Sequence, residues 1–207
     1  MKRLTKNIIY FPHKIYVTSI DSPLDYRQKC IDTIYNLGDQ MIKKTNVKGI
    51  MSSYFIWQES DVFHNLLTEI EKTIINIYGK ERANCKVLIT NAWSGIYKKG
   101  HYTVPHSHAG SEFSFVYYLQ SDGTTPIRFL RGPDAPIYQF YPKDNDFVIF
   151  PGNIPHDVPK HTSEQDRICI AGNVNYSTHI NEEESHDHDY DYTKHKFYNG
   201  NKPFKID

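Results

Sequence analysis

The sequence predicts a mainly β domain with helices on its N-terminal side, arranged as a jelly roll covered on one side by those helices. Three observations carry this reading. Apolar residues recur at helical spacing before about residue 80, the period drops to two from Lys86 onward, and the later runs are short and separated by Gly, Pro, Asp and Asn. With 207 residues, 39% of them hydrophobic, the chain has room for one packed core, so a single domain is expected over 1–207. Its parts are a helical support region (1–84), a β core (85–176) and a polar tail (177–207).

The first helix is expected to open where Ser22 supplies an N-cap, Pro23 a first-turn residue and Asp25 an early carboxylate. Leu24, Cys30, Ile31, Ile34, Leu37, Met41 and Ile42 then form an inward stripe. A second helix carries Phe63, Leu66, Leu67, Ile70, Ile74 and Tyr78 on one face, with Gly79 as its stop. The runs KVLITNAW, EFSFVYYL, PIRFL, PIYQFY, DFVIFP and DRICIAGNV follow as strands. Phe113, Phe115, Tyr117 and Leu119 alternate as core residues do. Beyond Ser177 the chain is polar, charged and poor in aliphatics, which suits a surface or partly disordered tail.

Lys plus Arg and Asp plus Glu both number 24, so formal charge is zero and a dedicated nucleic-acid or membrane-surface binder is not favoured. Cys30, Cys85 and Cys169 are widely spaced and odd in number, fitting a reducing compartment rather than a disulfide framework. No apolar run is long enough for a signal peptide or a membrane span, and a cytoplasmic, soluble protein is expected.

The 11 histidines are the unexplained surplus. His106 with His108, and His186 with His188, each place two imidazoles on one face of an extended strand. About 0.6 such pairs arise by chance at this composition, so context decides. The second pair sits in the acidic tail. The first precedes the strongest strand, and His156, directly after DFVIFP, is the best third ligand for an open metal site. His101 is out of phase with the pair and His161 lies in a polar loop, so both are expected at the surface. In DRICIAGNV, Arg167, Cys169, Ala171 and Asn173 share one face, while Ile168, Ile170 and Val174 share the other. An arginine followed by small residues suits a pocket for an anionic small molecule, because guanidinium grips a carboxylate bidentately. The other reading is that Arg167 opens the strand and pairs with Asp166 or Glu164 at the surface.

Taken together, NAWSGIYKKGHYTVPHSHAGSEFSFVYYL, DFVIFPGNIPHDVP and DRICIAGNVNYS resemble the 2-oxoglutarate- and iron(II)-dependent oxygenases. The likeness is strongest to a small, mostly uncharacterised group common in phage and marine bacterial genomes. The resemblance covers most of the chain and implies a double-stranded β-helix. It also implies Fe(II) at His106, His108 and His156, with 2-oxoglutarate and O2 as cosubstrates. Arg167, 11 residues after His156, would take the distal carboxylate, aided by Tyr97 and Tyr117. Substrates implied by the resemblance range over peptides, nucleobases and small metabolites.

The chain departs from the family pattern in one respect: it contains no H-x-D or H-x-E, and His108 stands in the usual carboxylate position. Glu112 is a candidate to restore a carboxylate. Gly100, His106, His108 and Glu112 also fit the first cupin motif, so a cupin-type enzyme or binding module that does not use 2-oxoglutarate is the rival reading. A metal-free jelly-roll structural protein is the third.

Overall fold

The computed structural model describes residues 6–10, 13–37, 46–78, 86–131 and 136–177. The N-terminal third is less purely helical than its sequence pattern. Strands β1 (Lys6–Tyr10) and β2 (His13–Ser19) form a hairpin, and short strands β3 (Val47–Lys48) and β4 (Ile50–Met51) follow the first helix. These segments are short or interrupted, so their period-two signal is weak beside that of the helices.

Helix α1 (Leu24–Asn36) begins one residue later than expected. Pro23, at φ −53° and ψ 141°, occupies the N-cap position rather than the first turn. Its carbonyl accepts the Arg27 N–H at 2.9 Å. Cys30, Ile31 and Ile34 are buried, but Leu24 in the opening turn is 69% exposed because packing starts one turn further on. Met41 and Ile42 lie outside the described residues. Helix α2 (Val62–Tyr78) buries the stripe its sequence spacing indicates, from Phe63 through Ile70 to Tyr78. Among the described residues no helix is long and apolar enough to cross a membrane.

The remaining strands are β5 (Lys86–Tyr97), β6 (Tyr102–His106), β7 (Phe113–Gln120), β8 (Ile127–Leu130), β9 (Pro136–Phe140), β10 (Asp146–Pro151), β11 (His156–Val158) and β12 (Arg167–Ser177). They pair antiparallel into two sheets, ordered β1-β2-β10-β7-β12-β5-β4 and β3-β6-β11-β8-β9.

The larger sheet is covered on both faces. One face packs on the helices through Phe115, Tyr117, Ile149, Ile168 and Ile170 against residues such as Phe63, Leu67 and Ile70. The other meets the smaller sheet through Trp93, Tyr97, Tyr118, Phe150 and Cys169 against Phe129 and Val158. Neighbouring residues therefore go to opposite cores, as with Tyr117 and Tyr118 or Ile168 and Cys169. That double burial is why β10 reads as an uninterrupted apolar run. Burial of each such side chain contributes about 1.5–3 kcal/mol, so the two cores together fix the register of the large sheet.

Candidate metal centre and anion pocket

His106 is the last residue of β6 and His156 the first of β11, and the two are direct partners across the sheet. His108 lies two residues past β6, in a loop held against the β10–β11 turn. Its N–H donates to the Gly152 carbonyl at 2.7 Å, and the Gly152 N–H donates to the Glu112 carbonyl at 3.1 Å. Glycine is required there, because a Cβ at position 152 would sit 2.4 Å from the Ser111 carbonyl oxygen and 2.9 Å from that of His108.

The three imidazoles converge. Ring centroids stand 4.9 Å apart for His106 and His108, 4.3 Å for His106 and His156, and 5.2 Å for His108 and His156. One ligand atom from each lies within 4.8 Å of the others. Nδ1 of His106 faces the Val104 carbonyl at 2.9 Å, and Nδ1 of His156 faces the Ile154 carbonyl at 2.9 Å. A carbonyl only accepts, so each Nδ1 carries its ring's proton and each Nε2 keeps a free lone pair. His108 is steadied by the tilted face of Trp93 at 5.8 Å, itself braced edge-on by Tyr54 at 5.5 Å.

Burial holds all three rings below the usual histidine range, with His108 lowered to about 4 and His156 held well below normal. Repulsion from His106 adds to the effect at both His108 and His156. Neutral imidazoles are the form that binds a metal.

No carboxylate joins this group among the described residues. Asp157 follows His156 but points to the other side of β11, where both of its oxygens take hydrogen bonds from Arg128, the Nε bond at 2.7 Å. Glu112 is exposed, outside the cavity and outside the histidine cluster. A turn at Ala109–Gly110 intervenes between the histidines and β7, so Glu112, the candidate to restore a carboxylate, does not share their strand.

The cavity reached by the three histidines encloses about 550 Å³ of empty space, mouth included, and runs inward between the sheets to Arg167. Arg167 is 2% exposed. Its Nη1 donates to the Thr125 carbonyl at 3.0 Å and its Nη2 to the Tyr118 hydroxyl at 3.1 Å. Its Nε is buried without a hydrogen-bond partner, and no carboxylate pairs with it among the described residues. The surface alternative for Arg167 is thereby set aside: Asp166 bonds Tyr35, and Glu164 pairs with Lys99. The guanidinium lies over the rings of Tyr118 at 4.8 Å and Tyr97 at 5.5 Å.

Tyr97 lines the cavity, with its hydroxyl 2.7 Å from Thr103 Oγ1. Tyr117 does not. It faces the helices, and its hydroxyl donates to Asn145 Oδ1 at 2.7 Å. The expectation for Tyr117 is corrected by one residue: strand alternation gives the cavity to Tyr118, opposite Cys169 in the β7–β12 register. The sequence signal for Tyr118 was present, since a core stripe of Phe115, Tyr117 and Leu119 sends residue 118 to the other face. Thr103 and Trp93 carried no comparable signal. Cys169 also lines the cavity, and burial raises its thiol to about 11, so it stays protonated.

His101 is half-buried and accepts the Lys98 N–H through Nδ1 at 3.1 Å, away from the cavity. His161, expected at the surface, is instead 2% exposed, because both of its ring nitrogens find partners inside. His186 and His188 lie outside the described residues.

Among solved structures, a prolyl-4-hydroxylase from Pseudomonas putida matches with a TM-score of 0.59 and 14% identity, covering 80% of this chain and 94% of its own. HygX from Streptomyces hygroscopicus, determined with nickel and 2-oxoglutarate bound, matches at 0.59 and 10% identity over 80% and 84% of the two chains. The non-heme alpha-ketoglutarate-dependent epimerase SnoN, from nogalamycin biosynthesis, matches at 0.60 and 11% identity over 77% and 75%. The fold is a double-stranded β-helix. No protein-family profile matches the sequence, and no curated protein matches it by sequence. In this double-stranded β-helix the histidines occupy the smaller sheet's rim and the arginine lies on the larger sheet, with the cavity between them.

Proposed function

We propose that this chain is an iron(II)- and 2-oxoglutarate-dependent oxygenase. His106, His108 and His156 hold the metal, Arg167 binds the distal carboxylate of 2-oxoglutarate with help from Tyr118 and Tyr97, and a C–H bond of a peptide, nucleobase or small molecule is hydroxylated. The observation that carries this reading is Arg167: a buried cation with an unpartnered Nε and no counter-ion among the described residues, opening on the same cavity as three neutral imidazoles. Burying a charge without a partner costs several kcal/mol, a cost an incoming carboxylate offsets.

Iron(II) would suit the donor set because imidazole is a good ligand for it, and three protein donors would leave room for a chelating cosubstrate and oxygen. Bound there, iron with 2-oxoglutarate would supply the oxidising power, O2 and the cosubstrate being consumed to leave succinate and carbon dioxide. The chain's own residues orient and exclude. The carbonyls of Val104 and Ile154 fix two ligand tautomers, Trp93 holds His108, and the Tyr97–Thr103 pair closes the cavity's inner wall. All three protein ligands are neutral, so the dianionic cosubstrate provides the charge that a carboxylate ligand would otherwise give. Cys30 and Cys169 are both free and buried, which fits a reducing, cytoplasmic setting.

The cupin reading depended on Glu112 joining the histidines, and its exposed position leaves that reading without its fourth ligand. Anaerobic titration with iron(II) and 2-oxoglutarate separates the two, with a visible charge-transfer band expected from the chelate. Metal bound without that band would refute the cosubstrate claim.

A further inference from the structure

His161 lies in the loop between β11 and β12, buried on the far side of Arg167's anchoring residue. Its Nε2 faces the Gln165 carbonyl at 2.7 Å. The carbonyl only accepts, so Nε2 carries a proton, and a ring with that single proton presents a bare Nδ1. Thr125 Oγ1 lies 2.8 Å from that Nδ1, so the hydroxyl donates to it. Thr125 is itself 2% exposed, and its carbonyl accepts from Arg167 Nη1 at 3.0 Å. Pro126 follows, restricting Thr125 to extended backbone, so that anchoring the hydroxyl also orients the carbonyl.

The loop carrying His161 is fixed in turn. Its N–H donates to the His101 carbonyl at 2.8 Å, and its carbonyl accepts from Gly100 at 2.7 Å, where φ of +87° suits glycine. A continuous line of bonds therefore runs from the 98–101 turn through His161 and Thr125 to the guanidinium.

We infer that His161 is a positioning residue for the anion pocket, holding through the Thr125 hydroxyl the carbonyl that aims Arg167 and thereby setting affinity for the dicarboxylate. The inference rests on the reading of Arg167 as the carboxylate-binding residue. An arginine side chain has many rotamers, and one held before the ligand arrives does not lose that freedom on binding. Release of the Thr125 carbonyl leaves Nη1 to be ordered by the ligand itself, which lowers affinity without touching the metal ligands.

The test uses the full-length chain loaded with manganese(II), with 2-oxoglutarate affinity measured by anaerobic calorimetry and manganese affinity measured separately. Glutamine at 161 reproduces the Nε2 donor to Gln165 but abandons Thr125, whereas asparagine reproduces the Nδ1 acceptor and abandons Gln165. His161→Gln and Thr125→Val are each expected to raise the 2-oxoglutarate Kd about tenfold. His161→Asn and Thr125→Ser should stay within about threefold of the parent, and manganese affinity should be unchanged throughout. Parent-like affinity in both His161→Gln and Thr125→Val, or equal damage from asparagine and glutamine, overturns the inference. Should His161→Gln fail to fold, the Thr125→Val and Thr125→Ser pair decides alone. Arg167→Ala keeps the two readings apart: if it binds 2-oxoglutarate as the parent does, the cosubstrate reading itself fails, and if it alone loses affinity, only the role of His161 fails.

Discussion

Arg167→Met should separate stability from ligand affinity in a way few buried substitutions do. In the free protein the guanidinium makes two hydrogen bonds and lies over two tyrosine rings, yet among the described residues it has no counter-ion, and its Nε is unpartnered. Hydrogen bonds from a charged group contribute about 1.5–3 kcal/mol each, and the desolvation they oppose is also several kcal/mol. Methionine fills similar space without charge, so the variant without 2-oxoglutarate is expected within about 2 kcal/mol of the parent. Binding behaves differently. Each lost charge-assisted bond to a carboxylate weakens Kd by about 10- to 100-fold. At a 2-oxoglutarate concentration 100 times the parent's Kd, the ligand stabilises the parent by about 2.7 kcal/mol. A variant binding 100-fold more weakly gains only about 0.4 kcal/mol at that concentration. Urea unfolding of manganese-loaded parent and variant, with and without 2-oxoglutarate, reads both quantities. Equal stabilisation of the two proteins, or loss of more than about 4 kcal/mol in the free variant, would show that Arg167 serves the fold and not a ligand.

Further outcomes follow from the same geometry. Tyr118→Phe should weaken 2-oxoglutarate about fivefold by removing the hydroxyl that meets Arg167 Nη2, while Tyr117→Phe should leave affinity unchanged; calorimetry on both reverses the assignment if the pattern is exchanged. Gly152→Ala should lower metal affinity at least tenfold, since its Cβ would push on the Ser111 and His108 carbonyls, and metal titration with parent-like affinity would show that the His108 loop tolerates the shift. In metal-free protein, His108 and His156 sit below the unfolded value of about 6.5, so between their folded values and 6.5 the unfolded chain binds more protons. Stability is therefore full above about pH 7 and falls toward pH 4, each histidine adding a slope of up to about 1.4 kcal/mol per pH unit. A His156→Gln variant should show the shallower slope in urea midpoints, and an unchanged slope would contradict the burial assigned to that ring. Finally, Ile70→Ala, at a fully buried position on α2, should cost about 2–5 kcal/mol in unfolding experiments while metal affinity stays intact, a split that fails if the helix layer shapes the site directly.

Local periodicity made much of the architecture readable before any coordinates. The α2 stripe needs only a 3.6-residue repeat, and the opposite faces of Arg167 and Ile168 need only alternation; both are properties of a single element. What periodicity does not reveal is which of two apolar faces meets which layer. In β7, Tyr117 and Tyr118 are equally aromatic and equally buried, and only the position of the helices on one side and the smaller sheet on the other gives the cavity to Tyr118. The same limit hid the β1–β2 hairpin, which joins the large sheet through the long-range pairing of β2 with β10.

The sequence by itself determined six of the eight strands from β5 to β12, missing the short β6 and β11, together with the arginine's face and the three histidines worth bringing together, because spacing along one strand or helix is a local quantity. Tertiary structure alone decided the rest. Glu112 was carried outward by the turn after His108, Asp157 was turned away to Arg128, and His161 was drawn from a polar loop into a buried bond with Thr125. The last two of these outcomes depend on a partner many residues distant, and the free energy of burying a polar group is set by whether such a partner is within reach.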